Sequence, residues 1–348
     1  MDILSIVVVG PGLIGKQHIR LVQDRADCRL AAIVAPDHEH NHAVARMHAV
    51  PLFHSIDECL AGCAIDGIII SSPNEFHAEQ AKRCVQAGIP ALVEKPITAN
   101  VKDGEELVEL VRASEGKLMV GHHRAHSPLL AKARDIINSG RLGRIVSVMG
   151  SAQFYKPASY FEAGLWRTKI GGGPILINLI HEIGNLRSLC GEITEVQAFS
   201  SSEIRRFEVE DTVSINLRFA NGALGNFMLS DTSVCARSWE QTSRENPAYP
   251  TYPDEDCYVI SGTLGCLSVP TFRIKYVPEG TEPSWMAPFI QEEIEVTRKD
   301  PLACQLENFV QVIRGEAPPL VSAADGLRNL VITEAIAKSA REQRIIRV

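Results

Sequence analysis

Three absences narrow the reading before any motif is considered. No apolar stretch in the 348 residues is long enough to span a bilayer, so no transmembrane segment is expected. No long basic run occurs, and the formal net charge is −7, which makes nucleic acid and anionic membranes poor partners. The nine cysteines include no Cys-x-x-Cys pair. Cys59 and Cys63 stand one helical turn apart, but no nearby Cys/His pair completes a zinc set. Reduced cysteines in a cytoplasmic protein, with no metal site, is the stronger reading. The opening Met1-Asp2-Ile3-Leu4-Ser5-Ile6-Val7 has no basic region and runs straight into a strand pattern, so no signal peptide is expected. Internal repeats and low-complexity tracts are also missing.

What is present is 45% hydrophobic and 22% charged, as in a globular protein. The length exceeds one typical core and suits two domains. Ile6-Val7-Val8-Val9 is a continuous β-branched run, the mark of a parallel strand buried on both faces. It leads into Gly10-Pro11-Gly12-Leu13-Ile14-Gly15 and then a helical pattern from Lys16. Gly10 suits a tight turn, Gly12 a backbone approaching a pyrophosphate, and Gly15 close helix–strand packing. The pyrophosphate would sit on free N–H groups at the helix N-terminus, against Gly12, Leu13 and Ile14. In this position, between a buried strand and a helix, the glycine pattern points to a dinucleotide fold.

Further strands are predicted at 30–34, 67–70, 89–93 and 118–120, alternating with helices over 38–47, 74–87 and 105–114. Such alternation implies a parallel, doubly wound sheet. An acid about 20 residues past the last glycine normally holds the adenosine ribose. That place is Ala35 here, and Asp37 follows two residues later. Asp37 reaches the ribose or is simply a turn residue. No Arg or Lys stands beside it for a 2′-phosphate, although His38 and His40 could contribute, so NAD is favoured over NADP. Ser71-Ser72-Pro73-Asn74 closes the 67–70 strand, as a bed for the cofactor's ribose and nicotinamide, as a helix cap, or as both. His77, one turn on, reads as packing or capping rather than catalysis.

The organising stretch is Ile89-Pro90-Ala91-Leu92-Val93-Glu94-Lys95-Pro96. A proline cannot continue a ladder, so Lys95 is fixed at a strand exit, where open α/β sheets bind ligands. In context, the chain resembles the glucose–fructose oxidoreductase/inositol dehydrogenase/MocA-type (Gfo/Idh/MocA) family. The resemblance rests on Gly10-x-Gly12-x-x-Gly15, Ser72-Pro73-x-x-x-His77, Ala87-Gly88-x-Pro90-x-x-x-Glu94-Lys95-Pro96, Trp166-Arg167, Gly171-Gly172-Gly173 and His181. It spans nearly the whole chain, and the Glu-Lys-Pro block is its most specific part. It implies a Rossmann domain over 1–124. It also implies an α+β substrate domain over 125–348 with a large, open, mostly antiparallel sheet, whose C-terminal helix can pack back on the first domain. That sheet would make a homodimer or homotetramer. The resemblance implies an NAD(P)-dependent oxidoreductase of sugars, inositols and related cyclic alcohols. It places Trp166-Arg167 near the cofactor or active site.

Gly121-His122-His123-Arg124-Ala125-His126 departs from the Asn-Arg-type sequence of similar proteins. Its cationic and polar groups suit an anionic or polyhydroxylated substrate, with one or two of them touching ligand; three close histidines without a carboxylate set fix no metal geometry. Tyr155, Lys156 and Tyr160 lie in an aromatic loop that contacts substrate or is an ordinary surface loop. Pro174 begins a helical pattern that continues to Leu189, in which Ile177, Asn178 and His181 share one face. The family's pattern has Asp four residues before this His; Ile177 occupies that place, and Asn178 takes over part of its role. Asn221-Gly222 signals a hairpin between strands at 213–219 and 223–229. The aromatic stretch 239–252 reads as a substrate lid or an inter-subunit arm.

The expected chemistry is reversible hydride transfer, with His181 as general base and Lys95 stabilising the developing negative charge on the same oxygen. Glu94 and the cofactor position Lys95. Three alternatives stand beside it: an NAD-dependent redox-assisted glycoside hydrolase, a non-catalytic dinucleotide-sensing regulator, and a dehydrogenase of a carboxylated cyclic diol.

Overall fold

A computed structural model describes residues 2–348; Met1, the first residue of the expected first domain, lies outside the described residues. The chain divides into two compact units, one of residues 1–126 and 301–330, the other of residues 127–300 and 331–348.

The first unit is a six-stranded parallel sheet. Its strands are β1 (Leu4–Val9), β2 (Cys28–Val34), β3 (Leu52–Phe53), β4 (Gly67–Ile70), β5 (Ala91–Glu94) and β6 (Leu118–Gly121), in the order β3-β2-β1-β4-β5-β6. Helices α1 (Leu13–Gln23), α2 (Glu39–Met47), α3 (Ile56–Gly62), α4 (His77–Gln86) and α5 (Val101–Ser114) make the crossovers. Every residue of β1, β4, β5 and β6 is buried. That burial explains why these segments read as unbroken apolar runs. The apolar set divides into two clusters, one containing Val7, Ile68, Ile70, Val93 and Val120, the other Ile6, Val8, Ile69, Leu92 and Met119. Successive side chains leave a strand on opposite faces, so the sheet is covered twice. The helix Pro301–Arg314 belongs to this unit and contributes Leu302, Leu306 and Phe309 to the second cluster.

The order reverses between β1 and β4, so the crevice outside their carboxyl ends is the topological switch point. The two strand exits are locked together there. The Ser71 hydroxyl donates to the Val9 and Gly10 carbonyls at 2.8 and 2.9 Å. Gly10 has φ +81°, and a Cβ on it would stand 2.7 Å from the Ser72 nitrogen. Only glycine permits that approach.

The second unit is built on nine strands: β7 (Ile145–Gln153), β8 (Ile193–Ser201), β9 (Thr212–Phe219), β10 (Leu224–Ser230), β11 (Tyr258–Gly262), β12 (Gly265–Val269), β13 (Arg273–Tyr276), β14 (Ile290–Glu293) and β15 (Ile346–Arg347). Their order is β14-β13-β12-β11-β7-β10-β9-β8-β15. Only β7 and β10 pair in parallel. The predicted mostly antiparallel sheet is therefore present. Strand β9 alternates buried and open positions. Its buried residues Val213, Ile215, Leu217 and Phe219 join one large cluster with residues of the helices α6 (Pro128–Asn138) and α8 (Ile180–Cys190), between which the short α7 (Ala158–Glu162) lies in the chain. The Asn221-Gly222 hairpin forms, with Gly222 at φ +89° and Ala223 N donating to Asn221 Oδ1 at 3.0 Å.

The predicted helix over 174–189 is interrupted. Residues Ile175–Leu179 form a π-helical turn, and α8 begins at Ile180. A π turn closes its hydrogen bonds over five residues rather than four. Asn178 lies within the π turn and His181 in the α-helix that follows it.

Candidate active site

The first half of the site grows from the β1 exit. Helix α1 starts at Gly12 without a side-chain cap and with no acidic residue in its first turn. Its terminal N–H groups and dipole are therefore left for an anion. A Cβ built on Gly12 meets nothing within 4 Å, whereas one on Gly15 would stand 2.1 Å from the Gly10 carbonyl. Gly12 faces open space and Gly15 faces packed backbone, the division of labour that a pyrophosphate cradle needs. Leu13 is exposed and Ile14 half-buried beside it. A dinucleotide fits this turn.

Asp37 lies exposed just past β2, and its Oδ1 is 2.7 Å from His42 Nε2. That bond holds its carboxyl below the usual range. At the β4 exit Ser72 is half-buried, while Pro73 and Asn74 are exposed and open a three-residue 3₁₀ turn. His77 is buried, with Nδ1 2.8 Å from the Pro96 carbonyl and Nε2 2.9 Å from the Ser72 carbonyl. Burial holds its pKa low. It ties the β4 exit to the Glu-Lys-Pro block.

The Lys95–Pro96 peptide is cis. Glu94 is buried, and its Oε1 accepts from His18 Nε2 of α1 at 2.8 Å. Its other oxygen accepts from the Lys95 amide at 3.3 Å. Burial pushes the Glu94 carboxyl up, but the His18 hydrogen bond and the charges of His18, His123 and Lys95 outweigh it and leave it below the ordinary range. Lys95 itself is half-buried at the strand exit.

The 122–126 cluster lies mostly inside the fold. His122 and Arg124 are each 3% exposed and His126 is 9% exposed. His122 Nε2 lies 3.4 Å from Asn329 Nδ2. His122 and Arg124 keep their place as candidates at the 3₁₀ turn His123–His126. His123 is half-buried and keeps its place as a candidate.

In the second unit, His181 is the second residue of α8 and is 6% exposed. Next to it, Glu182 is fully buried and accepts from the Tyr258 hydroxyl, which in turn accepts from Asn185 Nδ2 at 2.9 Å. The carboxylate of Glu210 accepts from Ile175 N at 2.9 Å and caps the start of the π turn. Tyr155 and Trp166 are exposed, at 54% and 57%. The guanidinium of Arg167 stacks 4.0 Å from the Tyr160 ring and 5.6 Å from that of Trp166.

Asn178 has a partner outside its own helix. Its Oδ1 accepts from Lys156 Nζ at 2.7 Å. Lys156 is 7% exposed, lies 3.6 Å from Asp231 Oδ2 and sits over the rings of Phe154 and Tyr160 at 5.4 and 4.9 Å. Burial draws its pKa down to about 8. Arg205 Nε donates to the other Asp231 oxygen at 2.8 Å. Sequence reasoning missed this Lys156–Asp231–Arg205 group. Lys156 drew notice only as one polar residue of an aromatic loop, and Asp231 and Arg205 stand in no motif.

The dinucleotide cradle and the Glu-Lys-Pro clamp lie in the segment that matches a family model, an oxidoreductase family with an NAD-binding Rossmann fold, over residues 4–122. A second model, the GFO/IDH/MocA C-terminal domain, matches residues 130–268. The chain belongs to the Gfo/Idh/MocA family. It is thus an NAD(P)-binding oxidoreductase with the family's two-part architecture. An inositol 2-dehydrogenase of Rhizobium meliloti is 25% identical over 343 residues, covering 98% of each chain. The WlbA dehydrogenase of Bordetella pertussis, solved with NADH and UDP-GlcNAcA, superposes with TM-score 0.78 at 24% identity, covering 100% of this chain and 99% of that one. An Agrobacterium radiobacter oxidoreductase, solved with NAD+, L-tartaric acid and magnesium, gives TM-score 0.81 at 17% identity, covering 99% and 98%. Among the described residues no helix is long and apolar enough to cross a membrane, and no group of three His, Cys, Asp or Glu residues is placed to hold a metal ion.

Proposed function

We propose that this protein catalyses reversible hydride transfer between a nicotinamide dinucleotide and a hydroxyl- or keto-bearing carbon of a sugar, inositol, sugar acid or related cyclic alcohol. The observation that carries the reading is the Glu94 clamp. One buried carboxylate grips His18 of the dinucleotide helix and the main chain of Lys95. The residue expected to act on substrate is thus fastened to the helix expected to bind cofactor.

Bound NAD(P) supplies the hydride acceptor or donor. Gly10, Gly12, Leu13, Ile14 and Gly15 would hold its pyrophosphate, Asp37 its adenosine ribose, and Ser71, Ser72, Pro73 and Asn74 the nicotinamide half, with His77, Glu94, Lys95, Trp166 and Arg167 completing the contacts. NAD is the proposed form, supported by the Asp37 carboxylate and by the lack of an adjacent Arg or Lys. His181 takes the proton of the reacting hydroxyl, and Lys95 hydrogen-bonds the same oxygen. General acid–base help of this kind is worth roughly 10²–10⁴-fold in rate. Asn178, Tyr155, His122, His123 and Arg124 contact substrate beside Lys95 and His181. A homodimer or homotetramer through the second sheet is part of the proposal, supported by Val146, Met149, Phe199 and Leu224 standing exposed on its strands. A reducing, cytoplasmic setting agrees with nine cysteines in the thiol form.

The test is a screen of sugars, inositols, sugar acids and cyclic diols against NAD and NADP, following absorbance of the reduced nicotinamide. Turnover with NAD is expected, and its absence with every compound and both cofactors overturns the reading.

A further inference from the structure

The Lys156–Asn178 bond fixes which end of an amide the site presents. A lysine ammonium is a donor with no acceptor. The Asn178 atom facing it at 2.7 Å is therefore the carbonyl oxygen, and the NH₂ group is directed away from Lys156. The oxygen is spoken for by a side chain that is itself held firmly. Lys156 is 7% exposed, its main-chain N–H donates to the Asp231 carbonyl at 2.9 Å, and its carbonyl accepts from Arg205 Nη2 at 2.8 Å. Burying an ammonium is costly unless it is paired. Here it is paired by Asp231 and faced by two aromatic rings. Asn178 is only half-buried, so its NH₂ is reachable.

An aspartate at the head of this helix would accept a hydroxyl proton and repel an anion. An oriented Asn178 does the reverse: it donates, and it carries no charge to repel a carboxylate. With Lys156 behind it, the amide dipole is aligned with its positive end toward the ligand. We propose that Asn178, positioned by Lys156, recognises a carboxylate on the substrate, so that the preferred substrates are acids of the sugar or cyclic polyol series rather than their neutral counterparts. This rests on the hydride-transfer reading and narrows its substrate class. Asn178 touches the ligand, and Lys156 is a positioning residue.

The experiment compares matched pairs: D-glucuronate with D-glucose, D-galacturonate with D-galactose, and quinate with myo-inositol. Steady-state kcat and KM with NAD are measured, and calorimetric binding of each compound to NADH-loaded protein is read alongside. At least one acid is expected to exceed its neutral partner about tenfold or more in kcat/KM, mainly through KM. Asn178→Asp, which adds a charge facing Lys156 and so suits the fold, is expected to lower the acid-to-neutral ratio by about tenfold or more. Lys156→Met is expected to lower the same ratio through KM, with kcat less affected. Equal or better use of the neutral partner in every pair, or an unchanged ratio in Asn178→Asp, overturns the inference. Acid binding that is lost in Asn178→Asp, in a protein that turns over none of the compounds, supports the carboxylate site and overturns the hydride-transfer reading instead.

Discussion

His18 and Glu94, 76 residues apart in the chain, meet at 2.8 Å with both side chains buried. The contact joins the helix that follows the glycine turn to the strand that ends in Lys95. A buried carboxylate with a charge-assisted partner holds its position more tightly than a neutral hydrogen bond would. The glycine turn and the Glu-Lys-Pro block are therefore one mechanical unit.

Glu94→Gln should test that unit. The variant keeps a hydrogen-bonding group but loses the charge, and a destabilisation of about 1.5–3 kcal/mol is expected from urea unfolding at neutral pH. The native Glu94 carboxyl titrates below its ordinary range. Its contribution is therefore fully present above the unfolded-state value of 4.5 and is lost as pH falls through the lower folded value. The wild type should lose stability across that acid window more steeply than Glu94→Gln. Parallel acid limbs in the two proteins would show that the charge contributes nothing.

The glycines of the turn should separate by role. Gly12→Ala places its Cβ in open space, so the thermal midpoint should hold while NAD affinity in calorimetry falls about tenfold, ~1.4 kcal/mol. Gly15→Ala sets a Cβ 2.1 Å from the Gly10 carbonyl and should cost about 1–3 kcal/mol of stability. Equal loss of stability in both would remove the basis for calling Gly12 a ligand-facing position.

Lys95→Ala should reduce kcat by roughly 10²–10⁴-fold. Dinucleotide affinity should be largely retained, since the glycine turn is untouched. Single-turnover kinetics with calorimetric NAD binding checks both halves. Near-normal turnover would leave Lys95 as a strand terminus and no more.

Acid selectivity should depend on pH through Lys156. Its pKa is drawn down to about 8, first by burial, against the pull of Asp231 and Glu240 and with the push of Arg205. Below that value the ammonium holds Asn178 Oδ1. Above it the neutral amine gains a lone pair that can accept from the amide NH₂, and the amide is released to turn. KM for the favoured acid should rise above about pH 8, with kcat/KM for the neutral partner following a different profile. In Lys156→Met that rise in KM should vanish. The same depressed lysine makes folding less favourable below its native value, a penalty relieved as pH climbs toward the unfolded lysine's 10.5.

Local chemistry made much of the first unit readable. The runs at Leu4–Val9 and Gly67–Ile70 are fully buried on both faces, so apolar periodicity and burial coincide. In the second unit they coincide less. Strand β8 carries no clear alternation, its register shifts between Ile193 and Glu195, and it exists because β9 and β15 pair with it on either side. Leu52–Phe53 is a strand for the same reason, through its partner β2. The helix before His181 looked regular because apolar spacing does not distinguish an α turn from a π turn.

The chain order of Gly10, Gly12, Gly15, Glu94, Lys95 and His181 was sufficient to determine a dinucleotide fold, a strand-end lysine and a helical histidine, because each depends on residues within one turn or one strand. Which side chains face each other depended on the tertiary structure. It buried His122 and Arg124, brought His18 to Glu94, and set Lys156 against Asn178 across 22 residues. Those pairings join separate segments of the chain, and only packing the strands and helices within each unit brings their polar ends within hydrogen-bond reach.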